Sequence, residues 1–66
     1  MTIEQAQELR NSTAWDNVVK ELSRMIDLDM AKLRTCTADE LRRYQVRIET
    51  FEFIKNLPQT VIDREE

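Results

Sequence analysis

The chain contains no glycine and only one proline, Pro58, in 66 residues. Tight β-hairpin turns depend on residues that tolerate positive φ, above all glycine, and an antiparallel sheet needs several such turns. A glycine-free chain therefore lacks the turns of a β-hairpin or β-sandwich fold. Charged residues make up 35% of the sequence and hydrophobic residues 41%, a balance typical of solvated helices with one buried side. We predict an all-α protein.

The length of the chain limits the size of its core. Sixty-six residues form at most one small domain, 1–66, and chains of this size bury only about 60% of the surface that they expose when unfolded. Small domains are commonly stabilised by disulfides, by a metal or by association. Cys36 is the only cysteine and there is no histidine, so neither an intramolecular disulfide nor a zinc site is predicted. Association is the stabilising route that remains.

Charge and composition also exclude several classes of function. The net charge is −3, with acidic and basic residues interleaved, which opposes a general role at nucleic acids or membrane surfaces. No apolar run approaches the roughly 18 residues that span a bilayer, and the first residues do not resemble a signal peptide. We therefore expect synthesis in a reducing cytoplasm. Without histidine or a glycine-rich phosphate loop, we expect no enzymatic activity, cofactor, metal or small-molecule substrate.

A short helix is predicted at the start of the chain. Thr2 and Gln5 have the spacing of a capping box, which would open a helix over about residues 3–10. Three weak helix formers follow at positions 11–13, and Thr13 could cap the next helix. On one continuous helix, the apolar residues of the short segment would point roughly 120–180° away from those that follow; these residues are Ile3, Ala6 and Leu9. We expect a break between the two helices.

Two longer helices are predicted after the break, at about 14–34 and 38–57. The second would open with a full capping box from Thr37 to Glu40 and would end at Pro58, which has no amide donor. Because the helices are of similar length and the connection is short, we predict an antiparallel two-helix hairpin. The tail, residues 58–66, can form a last helical turn or stay loose, and the sequence does not decide between them.

The hairpin core is predicted from apolar residues at helical spacing. It comprises Trp15, Val18, Val19, Leu22, Met25, Ile26, Leu33, Leu41, Tyr44, Ile48 and Phe51. Asp29 interrupts this stripe. A buried polar residue there would fix the register of the helices, but we favour the alternative in which Met30 takes the core position and Asp29 lies at the rim near Lys32.

The second long helix has a further apolar face that the first long helix cannot cover. Together with one residue of the first long helix, this predicted interface comprises Leu28, Val46, Phe53, Ile54 and Leu57. Burying a large apolar side chain stabilises by about 1.5–3 kcal/mol, so exposing several is costly for a small domain. The short helix and the Val61-Ile62 pair could cover this face, or a second subunit or partner could do so. We favour the partner, because the short helix offers little apolar surface.

Arg42, Arg43 and Arg47 form a small basic patch near the predicted turn. Such a patch can contact phosphate or an acidic protein surface. We favour a solvated face instead, since Asp39 and Arg43 have the spacing of an i, i+4 ion pair. Cys36 has no histidine to activate it, so we do not predict a nucleophile there.

The order of these features resembles a group of small helical proteins encoded among bacteriophage structural genes. The matching residues are Ala6, Leu9, Ser12, Ala14, Trp15, Leu33, Asp39, Glu40, Leu41, Gln45, Arg47, Ile48, Leu57 and Pro58. The resemblance implies a virion or head-assembly component without catalytic residues. Tyr44 and Phe51 depart from it, because smaller aliphatic residues are expected at those positions, and the resemblance therefore does not fix the packing partner.

Three functional hypotheses follow. The first is a structural protein, made in the host cytoplasm and carried in the virion, that binds itself or phage structural proteins. The second is a nucleic-acid-linked regulator, similar to Rop or to a terminase subunit, that uses Arg42, Arg43 and Arg47. The third is a small inhibitor of a host protein. We favour the first, because the surplus apolar face and the resemblance both point to protein contacts.

Overall fold

The computed structural model describes residues 1–65, so residue 66 of the predicted tail lies outside the described part. Four α-helices follow one another with short connections: α1 Ile3–Arg10, α2 Thr13–Lys32, α3 Ala38–Lys55 and α4 Leu57–Glu65. No strand occurs between residues 1 and 65. The prediction of an all-α protein is confirmed.

The starts of the helices follow the capping residues, with two corrections. At α1 both bonds of the box form: the Gln5 amide donates to Thr2 Oγ1 at 3.1 Å, and the Thr2 amide donates to Gln5 Oε1 at 3.0 Å. At α2 the cap is Ser12 rather than Thr13, because its hydroxyl accepts from the Trp15 amide. At α3 the Thr37 hydroxyl accepts from the Glu40 amide at 3.3 Å, but Glu40 makes no return bond. The full box predicted there was wrong.

The second long helix is two residues shorter than predicted, because Asn56 caps the end of α3 and its carbonyl accepts the first hydrogen bond of α4. Its amide donates to the Glu52 carbonyl, and its own carbonyl accepts from the Thr60 amide at 2.9 Å. Pro58 then lies in the first turn of α4, where helical amides have no intrahelical acceptor and the missing donor costs little. Residues 57–65 therefore form a helix, which answers the question that the sequence left open for all but residue 66.

The helices pack in two pairs, α2 with α3 and α1 with α4. Ala6, Val61 and Ile62 form a buried cluster between α1 and α4, with Ile3 and Leu57 packed against it. Arg10 adds a side-chain hydrogen bond from Nη1 to Gln59 Oε1 at 2.7 Å. The break at residues 11 and 12 thus turns the apolar side of α1 towards the end of its own chain.

The chain is long and thin, with principal extents of 43 × 23 × 12 Å. At 1.5 Å per residue, α1 and α2 placed end to end would span about 42 Å, close to the long dimension. The thinnest dimension is about that of one layer of helices. A single layer buries residues only where neighbouring helices touch, so both broad faces and both edges of the layer remain exposed.

Candidate protein interaction site

Asp29 lies in the contact between α2 and α3, near the end of α2, and its side chain is almost fully buried, with a residue exposure of 2%. Arg47 Nε donates to Asp29 Oδ2 at 2.9 Å, and the Arg47 guanidinium also lies 5.6 Å from the Phe51 ring. Met30, by contrast, is exposed. The prediction that Met30 would fill the core and Asp29 would stay at the rim was wrong. A half-exposed arginine from α3 satisfies the carboxylate, and the sequence stripe alone did not reveal that partner.

The contact between the long helices is narrower than the predicted core. Ile26 is buried, and seven other members are half-buried: Trp15, Val19, Leu22, Leu33, Tyr44, Ile48 and Phe51. Val18, Met25 and Leu41 are exposed, contrary to the prediction. One neighbouring helix covers only a strip along α2, and residues on the flanks of that strip stay in contact with solvent.

Val46 and Phe53 define what we call the outer edge of α3. They are separated by seven residues, so they lie on the same side of the helix, and they are exposed by 47% and 60%. Helical geometry places them roughly opposite Tyr44 and Phe51, which face α2. The outer edge of α3 therefore exposes two large apolar side chains to solvent.

The remaining members of the predicted interface have different positions. Leu57 packs against the buried cluster between α1 and α4, so its contact is intramolecular. Ile54 is half-buried. Leu28 is exposed on α2. The predicted apolar face is therefore covered only in part by the chain itself. The helices at the start and the end of the chain cover Leu57, whereas Val46 and Phe53 on the outer edge of α3 stay exposed.

An apolar strip on α2 was not identified as such from the sequence. From the sequence, Val18 and Met25 were predicted to lie in the hairpin core. In the structure both are exposed, on the same flank of α2 as Leu28. The signal was present in the sequence. Positions 14, 18, 21, 25, 28 and 32 have the same alternating four-and-three spacing as the buried and half-buried positions 15, 19, 22, 26, 29 and 33. The second stripe lies outside the strip of α2 that α3 covers.

The three arginines of the predicted basic patch do not act alike, because one of them forms an ion pair with Asp29. Arg42 and Arg43 are exposed, whereas Arg47 uses its Nε to hold Asp29. An arginine that neutralises a buried carboxylate contributes little net positive charge to a phosphate site, which needs several free cations. This arrangement reduces the support for the nucleic-acid hypothesis.

The described part of the chain shows no pocket, and its residues form no cluster of three or more potential metal ligands. Among residues 1–65 no helix has both the length and the apolar character needed to cross a bilayer. Comparisons with protein families, with curated proteins and with solved structures give no match to the chain.

Proposed function

We propose that the chain is a non-enzymatic interaction protein built on an antiparallel hairpin of α2 and α3, and that it serves as a bacteriophage virion or head-assembly component. Its association, with itself and with phage structural proteins, would take place at the host cytoplasmic stage of assembly. The resemblance in residue order supports the phage setting. The observation that carries the interaction function is the free outer edge of α3.

The chemistry of that edge favours a protein partner over a nucleic acid. Phe53 and Val46 offer apolar surface without the positive charge that dominates nucleic-acid binding. Buried aromatic residues contribute a large part of the binding energy in many protein interfaces, especially where neighbouring contacts exclude water. At about 25 cal/mol for each Å² buried, covering both side chains would contribute on the order of 3 kcal/mol. A helix of a phage structural protein with a complementary apolar side is the partner that fits.

Replacing Phe53 with glutamate is expected to abolish binding to that partner without unfolding the chain. The side chain is 60% exposed and is not part of the buried cluster between α1 and α4, so helicity should stay unchanged. A carboxylate in an apolar interface would be desolvated at high cost. The wild-type and variant chains would be tested against the purified portal, capsid and tail proteins of the same phage genome. We expect one of them to bind the wild type and to bind the variant at least tenfold more weakly.

Gln45→Glu provides the matched control, because it adds the same charge to an exposed position of α3 away from the outer edge. This variant should bind the partner like the wild type. Equal partner binding by Phe53→Glu and the wild type would remove the outer edge of α3 from the proposal. Purified virions that lack the chain, together with no binding to any structural protein, would overturn the proposed function itself.

A further inference from the structure

Four residues on the exposed flank of α2 form a regular seam, which we call the α2 seam: Glu21, Met25, Leu28 and Lys32. Their spacing is four, three and four residues, so they lie along one side of the helix over about 16 Å. Met25 and Leu28, in the middle, are exposed by 45% and 58%. Glu21 and Lys32, at the ends, are exposed as well. None of the four is buried against α3, although the Lys32 ammonium lies over the half-buried Tyr44 ring of that helix.

The order of residue types along the seam is complementary to itself. An acidic residue, two apolar residues and a basic residue follow one another at a spacing that reads the same in both directions. If a second α2 is laid antiparallel on the first, Glu21 faces Lys32 of the second copy and Met25 faces Leu28. The two-fold axis of a symmetric dimer generates both contacts again with the roles exchanged.

We propose that the α2 seam is the interface of a homodimer, in which α2 of a second copy of this chain lies antiparallel along it. This inference gives the association proposed above a specific occupant. It uses a different helix from the outer edge of α3, so the dimer and the partner complex do not compete for the same residues.

The solvent-accessible surface area of the chain is consistent with a dimer interface of ordinary size. A folded monomer of 7.9 kDa typically exposes about 4,400 Å² by the scaling of surface with mass. This chain exposes 5129 Å², an excess of roughly 700 Å². Specific interfaces bury about 800 Å² on each partner. A single layer of helices that pairs with a second copy through one broad face would bury approximately this excess.

Glu21 and Lys32, the charged ends of the α2 seam, make only weak, exposed interactions within the chain. Within the chain, Glu21 Oε1 lies 3.4 Å from Arg24 Nη2, and both side chains are largely exposed. The Lys32 ammonium lies 5.6 Å from the centre of the Tyr44 ring. Exposed ion pairs of this kind contribute little to stability, so Glu21 can turn to the second copy at small cost. The opposite charges at the two ends of the seam would then fix the antiparallel direction.

Two charge reversals test the proposal by sedimentation of the chain at graded concentrations and low salt. Glu21→Lys and Lys32→Glu each place like charges opposite one another twice, and each is expected to weaken the dimer about tenfold or more. An equimolar mixture of the two variants brings opposite charges together again and should restore a heterodimer of nearly wild-type affinity. A wild-type chain that stays monomeric at millimolar concentration would overturn the proposal, as would a mixture that dimerises no better than its components.

Cysteine cross-linking locates the register and guards against variants that fail to fold. In a Cys36→Ser background, a chain with Met25→Cys mixed with a chain with Leu28→Cys should give a disulfide-linked heterodimer, since a disulfide forms only between closely facing positions. Met25→Cys mixed with Asp27→Cys, which lies on the other side of α2, should give little. Equal yields from both mixtures would overturn the register.

Phe53→Glu separates this inference from the proposed function. We expect that variant to lose partner binding and still to form the α2 dimer. If instead it becomes monomeric while both charge reversals dimerise normally, the homodimer uses the outer edge of α3 and the α2 seam is not the interface.

Discussion

Replacement of Arg47 with methionine is expected to lower the free energy of unfolding by about 2 kcal/mol. Asp29 is almost fully buried and has Arg47 as its partner at 2.9 Å. Methionine keeps an apolar stem of similar length but leaves the carboxylate unpaired. Removing one partner of a fully buried pair costs about 3–5 kcal/mol, and the smaller value applies here because half of the Arg47 side chain is exposed and water could replace it. Thermal unfolding at fixed protein concentration should show a midpoint lower by roughly 10 °C.

Arg43→Met and a double variant provide the controls for this prediction. Arg43 is exposed one turn earlier on the same helix, so its replacement should change the free energy of unfolding by less than about 0.5 kcal/mol. Asp29→Leu combined with Arg47→Met removes both charges and should recover most of the lost stability, since apolar replacement of an ion pair is often neutral or better. If Arg47→Met is as harmless as Arg43→Met, the ion pair does not stabilise the contact between α2 and α3.

The sequence predicted what depends on local signals. The start of α1 follows from the capping box of Thr2 and Gln5, in which both bonds connect residues three apart. The break before α2 follows from three weak helix formers in a row, although the cap proved to be Ser12. Local hydrogen bonds between a side chain and a nearby amide need no information about distant parts of the chain, and for this reason such signals can be read from the sequence.

What the sequence did not predict depends on the exact position of a neighbouring helix. Asp29 and Met30 are adjacent, and both lie near the apolar stripe, so periodicity with hydrophobicity favours Met30. The structure buries Asp29 because Arg47, 18 residues away, supplies a charged hydrogen bond. In the same way, Val18 and Met25 belong to the stripe but lie beyond the width that one partner helix covers. The partner of a buried charge and the width of the strip that a neighbouring helix covers both depend on tertiary structure. A helical wheel of one segment shows neither of them.

The outer edge of α3 was predicted correctly for Val46 and Phe53 but not for Leu57. Periodicity placed Val46 and Phe53 opposite the residues that face α2, and both are exposed. Leu57 was assigned to the same edge because α3 was expected to continue to Pro58. The helix ends at Lys55, and the chain changes direction at Asn56, so Leu57 packs against the cluster of α1 and α4 instead. An error of two residues in a helix boundary was sufficient to move one residue from a predicted interface into a core.

Replacement of Ile62 with alanine is expected to unfold α1 and α4 while α2 and α3 remain helical. Ile62 is buried with Ala6 and Val61 in the cluster that joins the two short helices. Such a truncation costs about 2–5 kcal/mol. The two helices have eight and nine residues, and helices of fewer than about 12 residues are marginal in water without tertiary contacts. Amide hydrogen exchange should therefore show protection lost in both short helices together, although only α4 carries the substitution.

The separation of the two helix pairs makes this loss local. α1 and α4 share an apolar cluster and the hydrogen bond from Arg10 to Gln59. Of the other pair, α1 contacts only α2 and α4 contacts only α3, each its neighbour along the chain. Protection in α2 should persist around Ile26 and Asp29, the buried residues of the other pair. Arg64→Ala, at an exposed position of α4, is the matched control and should leave exchange unchanged in all four helices. If Ile62→Ala instead removes protection from α2 and α3 to the same extent, the four helices unfold as one cooperative unit and the two pairs are not independent.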